Sequence, residues 1–212
     1  MRTVIIMGKG ELACKVLDWY NNSGTYSVIG VVPVIPEPTW TKSLSNHAKK
    51  WGNSVLKWDY KKHDFKEVEI GGANLLVSIF WDSILEKDFI DRFQKTINLH
   101  NAPLPSYRGV APVNWALENK EEYHGVTIHE IAPGVDDGPI YGQIRFPISQ
   151  QDEVKDVYER CLDFGWQLFK ATAPIIFTTE PFSQKANKET KMSYYSSVKK
   201  GDLKTRFDWV QK

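Results

Sequence analysis

The sequence has no excess of charge of either sign and no clustered run of basic residues. Its 212 residues include 27 Lys and Arg against 26 Asp and Glu, which gives a net charge of +1. Proteins that bind nucleic acid usually carry a basic stripe and a high isoelectric point, because phosphate contacts dominate their affinity. We therefore expect no nucleic acid among the partners of this chain.

Cysteine is scarce and long apolar runs are missing. The two cysteines, Cys14 and Cys161, lie far apart, and neither they nor the histidines show the spacing of a metal site, so we expect no metal. Free thiols are typical of a reducing compartment, which predicts a cytoplasmic location. The first apolar run, residues 3–7, is too short for an export signal or a membrane span, so we expect no membrane association.

The chain instead alternates short apolar runs with helical patterns, and 42% of its residues are hydrophobic. Residues 3–7 read as a strand, and a glycine turn and a helical pattern follow them, which is the opening of a Rossmann-like unit. Further strands are predicted at 27–34 and 74–81, with a helix at 84–94. This alternation predicts an α/β fold, namely a Rossmann-like, mostly parallel sheet with helices on both faces.

The first glycine turn, Gly8-Lys9-Gly10, has two interpretations. A turn of this kind can bind phosphate at the N-terminus of the helix that follows. A third glycine at the spacing of the dinucleotide fingerprint is missing, so the turn is weak support for a nicotinamide cofactor. A tight turn without a ligand stays an equal alternative.

The residues that can carry chemistry lie in the stretch 96–147. Residues 96–100 read as the end of a buried strand, in which Asn98 and His100 share one face because side chains alternate. A proline-rich loop follows, and an acidic turn at residues 136–139 separates two strand-like runs, 124–131 and 140–148. An amide, an imidazole and an acidic turn are the parts of a proton-transfer site.

The same stretch contains an ordered series of motifs, which are Asn98-x-His100, Leu104-Pro105-x-Tyr107-Arg108-Gly109-x-x-Pro112, Gly125-Val126-Thr127-x-His129 and Asp136-x-Gly138-Pro139-Ile140. The series resembles the formyltransferase family that uses 10-formyltetrahydrofolate, over residues 1–150. By that resemblance, Asn98, His100 and Asp136 match the catalytic residues of the family. The Asp-x-Gly spacing of the family selects Asp136, but spacing alone leaves the neighbouring Asp137 open. His129 we interpret as a structural or supporting histidine.

The resemblance also implies where the two substrates bind. Ligands of open α/β sheets lie outside the carboxyl ends of the strands, and the pterin of the folate is implied at that edge. The implied folate contacts are Phe80, Trp81, Gly134 and Val135. The implied contacts of the acceptor are Lys9, Pro105, Tyr107, Arg108 and Gly109.

The residues after His100 favour one branch of this family. The run 101–105, Asn-Ala-Pro-Leu-Pro, departs from the Ser-Leu-Leu-Pro that is usual in the methionyl-tRNA and glycinamide ribonucleotide enzymes, and it looks more like the sugar N-formyltransferases. The resemblance therefore implies transfer of a formyl group from 10-formyltetrahydrofolate to the amine of a nucleotide-linked amino sugar. A dTDP-linked amino-dideoxy sugar and a role in surface polysaccharide (lipopolysaccharide) biosynthesis are the finer expectation.

Three alternatives stay open. They are a folate hydrolase that uses water as the acceptor, a formyltransferase acting on methionyl-tRNA or glycinamide ribonucleotide, and a Rossmann-like binding protein without activity. We expect a catalytic domain at residues 1–150, and a C-terminal helix with an appendage, 151–212, packed on it. The tail carries Tyr194, Tyr195, Phe207 and Trp209, which could contribute to the substrate pocket or to a homodimer.

Overall fold

The structure is a computed structural model that describes residues 1–65, 72–184 and 192–196. Its strands are β1 (Arg2–Gly8), β2 (Tyr26–Pro33), β3 (Trp58–Asp59), β4 (Asp64–Phe65), β5 (Leu75–Ile79), β6 (Lys95–His100), β7 (Arg108–Gly109), β8 (Tyr123–Glu130), β9 (Ile140–Pro147) and β10 (Tyr194–Tyr195). Its helices are α1 (Gly10–Asn22), α2 (Leu44–Trp51), α3 (Lys87–Ile90), α4 (Pro112–Glu118) and α5 (Val154–Thr172).

The chain divides into two compact units, Met1–Asn98 and Leu99–Lys212, and the boundary falls inside β6. In the first unit, β1 lies between β2 and β5 and pairs in parallel with both. Residues 4–7 of β1 are fully buried, as expected of a parallel strand that is covered on both faces. Helix α1 packs against β1 and β2, and α2 packs against α1 and β2.

Gly8 ends β1 where the chain passes very close to β5. Its φ is +146°, and a Cβ at this position would lie 2.0 Å from the carbonyl oxygen of Ile79. The amide of Lys9 donates to that same carbonyl at 3.2 Å. Gly8 is therefore required for the close approach, which places Lys9 beside the residue that follows β5, Phe80.

In the second unit, β8 pairs with β9. Strands β8 and β9 are antiparallel, with an irregularity between Ile128 and His129. Helix α5 packs on β8 and β9 through its buried face, and its N-terminus has a capping box made by Glu153 and Asp156. The strand-like runs predicted at 124–131 and 140–148 are therefore confirmed as strands, and they pair.

The predicted α/β fold with a mostly parallel central sheet is confirmed, but the helix predicted at 84–94 is wrong in extent. Helix α3 covers only Lys87–Ile90 and has no side-chain cap. Leu85, Phe89 and Phe93 are all buried, so their four-residue spacing reflects a real apolar face. One helical turn with an irregular segment on each side is sufficient to bury these three side chains.

Two further expectations concern parts of the chain rather than its fold class. The division at residue 150 stays a prediction, and Phe207 and Trp209 lie outside the described residues. Within the described ranges, none of the helices has the length and apolar character needed to cross a membrane.

Gly8→Ala should destabilise the protein by at least about 2 kcal/mol, because the added carbon collides with backbone that cannot rotate away. Gly24→Ala is the matched control, since Gly24 also has a positive φ, +66°, but a Cβ there meets nothing within 4 Å. Its cost should be limited to the left-handed backbone penalty, about 1 kcal/mol. Chemical denaturation measures both, and equal losses would contradict the close approach to β5.

Candidate active site

Asn98 and His100 lie two residues apart on β6, as the motif predicted. The Ser78 hydroxyl on β5 donates to the Oδ1 atom of Asn98 at 2.8 Å. Because Oδ1 is engaged as the acceptor, the orientation of the amide is set, and Nδ2 is the atom of Asn98 that can donate.

The carboxylate of Asp136 lies between two imidazole rings in the second unit. Its Oδ2 atom is 3.5 Å from Nδ1 of His100, and its Oδ1 atom is 3.5 Å from Nε2 of His129. The side chain of Asp136 is 14% exposed, that of His100 is 8% exposed and that of His129 is 3% exposed. The group is therefore largely withdrawn from water, which strengthens the electrostatic coupling among its members.

The far nitrogen of each ring is held by a backbone carbonyl. Nε2 of His100 is 2.9 Å from the carbonyl oxygen of Tyr107, and Nδ1 of His129 is 2.8 Å from that of Glu130. A carbonyl can only accept, so these nitrogens carry hydrogen. Each ring thus has a backbone carbonyl at one nitrogen and a carboxylate oxygen of Asp136 near the other.

Asp136 is held as an anion. Burial is the largest influence on its pKa and acts to raise it, but His100, His129 and the Gly109 amide together outweigh burial. The pKa of Asp136 is consequently lowered well below its usual range. The Gly109 amide donates to Oδ2 at 2.9 Å, and this hydrogen bond also ties the acidic turn to β7.

The acidic turn separates its two carboxylates in space. Asp136 has a positive φ of +47° and faces the imidazoles, whereas Asp137 is exposed and folds back over Gly134, where a Cβ would lie 2.0 Å from its Oδ2 atom. A Cβ at Gly138 would lie 1.9 Å from the carbonyl oxygen of Glu130, so that position excludes any side chain. The Asp-x-Gly spacing therefore has a steric cause, and Asp136 is the acid beside His100.

The loop before β7 is fixed by a buried phenol. The Tyr107 hydroxyl donates to Oε1 of Glu121 at 2.5 Å and accepts from Nδ2 of Asn119 at 3.1 Å. Burial and then the Glu121 carboxylate raise the pKa of Tyr107. The phenol is therefore a neutral anchor, and it is the carbonyl of Tyr107 that reaches His100.

Strand β10 of the tail pairs in parallel with β7. The Arg108 amide donates to the carbonyl of Ser193 at 3.0 Å, and the Tyr107 amide donates to the Ser193 hydroxyl at 2.7 Å. The Tyr195 ring stacks on Tyr107 and on Trp115, with ring centroids 5.5 Å and 4.5 Å apart. Tyr195 is thus a packing residue of the site loop, a role for which the polar tail sequence has no local signal.

The residues predicted to contact the substrates fall into two groups, one in each unit. In the first unit, Lys9 and Phe80 directly follow the carboxyl ends of β1 and β5, and Trp81 stacks on Tyr60 with centroids 6.0 Å apart. In the second unit, Gly134 and Val135 belong to the turn that carries Asp136, and Pro105, Tyr107, Arg108 and Gly109 form the loop and strand beside it. Their contacts with folate and acceptor stay predictions.

Arg108 has an unusual environment in that loop. Its Nε atom is buried and has no hydrogen-bond partner among the described residues. A buried guanidinium donor normally finds an acceptor, so a bound anion would complete this environment.

In the described part of the chain, no group of three or more His, Cys, Asp and Glu side chains could hold a metal.

Neither cysteine is prepared for covalent chemistry. Both thiols are free and buried, and burial raises the pKa of Cys14 to about 11 and that of Cys161 well above its usual range. A protonated thiol is a poor nucleophile. The chemistry of the site therefore rests on imidazole, carboxylate and amide groups.

An α/β fold with a buried imidazole–carboxylate–imidazole group defines a class of acid–base enzyme sites, and the family follows from comparison with known proteins. The family model described as formyl transferase matches residues 1–172. Because this match covers more than half of the chain, the protein belongs to the formyl transferase family.

Individual solved structures and a curated relative show which formyltransferases the chain is similar to. An N-formyltransferase from Helicobacter canadensis, in complex with folinic acid and dTDP-3-aminofucose, is 28% identical with a TM-score of 0.75, over 93% of this chain and 72% of that one. The sugar 3N-formyltransferase WlaRD, with dTDP and 5-N-formyl-tetrahydrofolate, is 25% identical with a TM-score of 0.76, over 96% and 72%. The methionyl-tRNA formyltransferase of Fervidobacterium nodosum is 27% identical over 96% of this chain, which spans 66% of that relative's length.

His124 gives the protein a measurable pH dependence. The ring is completely buried on β8, with Nε2 2.8 Å from the carbonyl oxygen of Asn101, and burial lowers its pKa from 6.5 to about 4. The unfolded chain therefore binds a proton at a pH where the folded protein does not. Between those two values, stability falls as the pH falls.

We expect the free energy of unfolding to decrease by on the order of 1 kcal/mol per pH unit between about pH 6.5 and about pH 4. His124→Gln should remove most of this slope, because it removes the titrating group. His63→Asn is the control variant, since it removes a histidine whose ring bonds the Ile84 carbonyl at the surface. Urea denaturation at several pH values measures it, and an unaltered slope in His124→Gln would contradict this assignment.

Proposed function

We propose that this protein transfers a formyl group from 10-formyltetrahydrofolate to the amine of a nucleotide-linked amino sugar. The observation that carries the proposal is the Asp136 carboxylate between His100 and His129, in a chain of the formyl transferase family. Two structural relatives bind a reduced folate, one with a dTDP-linked amino sugar and one with dTDP. The finer reading is a dTDP-linked amino-dideoxy sugar that enters surface polysaccharide, with the reaction in the cytoplasm.

Formyl transfer to an amine requires that bonds are formed and broken at the formyl carbon and that protons are moved. The amine nitrogen bonds to the formyl carbon, the carbonyl electrons move to oxygen, and the bond from that carbon to the folate nitrogen then breaks. The nitrogen of the amine loses a proton, and the folate nitrogen gains one. Donors aimed at the transient oxyanion lower the barrier, and losing one costs ~10²–10³ in rate in well-studied enzymes.

The residues divide this work as follows in the proposal. Asn98 donates from Nδ2 to the oxyanion, since its Oδ1 is already occupied by Ser78. His100 donates from Nε2, which exchanges the Tyr107 carbonyl for the reacting oxygen. Asp136 orients His100, and it accepts the proton of the amine directly or through water.

The environment of Arg108 supports an acceptor that carries phosphate. Its buried Nε–H has no acceptor among the described residues, and the diphosphate of a nucleotide sugar would supply one. Glycinamide ribonucleotide also carries a phosphate, but the run 101–105 after His100 resembles the sugar enzymes instead. Lys9 is assigned to the same acceptor in this proposal, and the aromatic pair Phe80 and Trp81 to the folate.

Methionyl-tRNA is the second candidate acceptor, because the curated relatives that match the chain act on it by name. The net charge of +1 offers little general attraction to a polyanion, which favours the sugar. A folate hydrolase would use the same group of residues with water as the acceptor. These three activities give different products.

The deciding assay incubates the protein with 10-formyltetrahydrofolate and a panel of nucleotide-linked amino sugars. We expect a formylated nucleotide sugar by mass spectrometry, with tetrahydrofolate formed only when an amine is present. Parallel arms contain charged initiator transfer RNA, glycinamide ribonucleotide or no acceptor. Faster formylation of the transfer RNA than of every sugar would overturn the acceptor assignment, and formate release without any amine would identify a hydrolase.

Asp136→Asn should lower turnover by ~10² or more, because the neutral amide no longer holds two imidazoles and cannot accept a proton. Asp137→Asn is the matched control, since this exposed side chain faces Gly134 and not the rings. It should change turnover by less than a factor of about three. Steady-state kinetics on the best acceptor measures both, and greater damage in Asp137→Asn would reverse the roles of the two acids.

A further inference from the structure

The backbone of the acidic turn is held by a side chain from outside the region that matches the family. Nε2 of Gln184 donates to the carbonyl of Asp136 at 3.0 Å and to the carbonyl of Gly138 at 2.8 Å. One amide nitrogen carries two hydrogens, so these two bonds use both of them. Gln184 is 5% exposed and lies beyond residue 172, where the family match ends.

The turn needs such support because its backbone is strained. Asp136 has a left-handed φ of +47°, which costs an aspartate roughly 1 kcal/mol or more. The carbonyls of Asp136 and Gly138 both accept from Gln184, in hydrogen bonds that are partly buried and buried, respectively. A backbone carbonyl in that position normally requires a partner. Gln184 supplies that partner to both carbonyls at once.

The segment that carries Gln184 has its own attachment. The Ile140 amide donates to the Phe182 carbonyl at 2.8 Å, and the Phe182 amide donates back to the Ile140 carbonyl at 2.9 Å. These bonds fix residue 182 beside the start of β9 without using the Gln184 side chain. A substitution at Gln184 should therefore leave the path of this segment intact.

Packing alone does not account for a glutamine at position 184. Its Oε1 atom is buried and has no hydrogen-bond partner among the described residues. A buried oxygen without a partner costs free energy, which an apolar side chain of similar length would avoid. The useful part of Gln184 is thus its nitrogen, directed at the two carbonyls that flank Asp137.

We propose that Gln184 is a positioning residue for Asp136, which holds the acidic turn so that the carboxylate stays between His100 and His129. The inference rests on the proposed function for its effect on catalysis. Gln184 bonds the backbone carbonyls of the turn and not the Asp136 carboxylate itself. Its loss should therefore act through the placement of Asp136. Small displacements of a catalytic group are costly, about 10²-fold for roughly 1 Å.

Gln184→Met tests this, because methionine keeps the length of the side chain and removes the donors. We expect kcat to fall about 10- to 100-fold, while KM for the folate and for the amine changes by less than a factor of about three. Gln150→Met is the matched control, since Gln150 is an exposed glutamine. Thermal denaturation establishes that both variants are folded, and an unchanged kcat in folded Gln184→Met would overturn the proposal.

A second readout is independent of activity. Imidazole ¹⁵N spectra should show altered ring signals for His100 and His129 in Gln184→Met, because both rings contact Asp136. The His124 signals are the internal control, since that ring bonds the Asn101 carbonyl instead. Unaltered His100 and His129 signals would overturn the positioning role. An inactive wild-type protein would count against the proposed function and leave this spectral test standing.

Gln184→Glu covers the case in which Gln184→Met does not fold. A glutamate carboxylate would face two carbonyl oxygens and donate to neither, whereas its protonated form can donate one bond. The ratio of its kcat to the wild-type value should therefore rise as the pH is lowered from about 8 to about 6, because burial favours the neutral acid. A ratio that equals one at every pH would contradict the inference.

Discussion

The burial of one ionised carboxylate is the constraint on which the rest of the site depends. Removing a carboxylate from water costs several kcal/mol unless partners replace its hydration. For Asp136 those partners are two imidazoles and the amide of Gly109, and together they lower its pKa despite the burial. Three separate segments, the end of β6, the strand β8 and the loop at β7, must therefore converge on the acidic turn. Removal of any partner leaves a buried charge that the others must compensate.

The convergence explains why residues without chemistry of their own surround the site. Tyr107 must stay neutral and anchored to Glu121, because its carbonyl orients His100. Gly109 must approach β10 closely, since a Cβ there would lie 2.2 Å from the carbonyl oxygen of Tyr195. The tail thus supports the loop whose amide bonds Asp136. A match over residues 1–172 identifies the family, while part of the support for the site comes from residues 182–184 and 193–195.

The first unit follows a different constraint, the close passage of two parallel strands. Gly8 allows β1 and β5 to end side by side, and this sets the positions of Lys9 and Phe80. The strands were predictable because fully buried parallel strands read as continuous apolar runs. The helix at 84–94 was predicted too long because apolar spacing indicates which side chains are buried but not whether the backbone between them is helical. One helical turn with irregular segments around it buries the same three side chains.

Local periodicity and turn chemistry were enough to predict the long strands, the α/β class, the alternation that relates Asn98 to His100, and the position of the acidic turn. Tertiary packing selects which of the two adjacent acids faces His100, since that depends on the collision that Glu130 imposes at Gly138. It also revealed His129 as a second partner of Asp136, Gln184 as the support of the turn and Tyr195 as the support of the loop. The contact of Gly109 with Asp136 joins residues 27 apart in sequence, and that of Gln184 joins residues 48 apart. No local pattern can encode such pairs, because they exist only once the chain has packed.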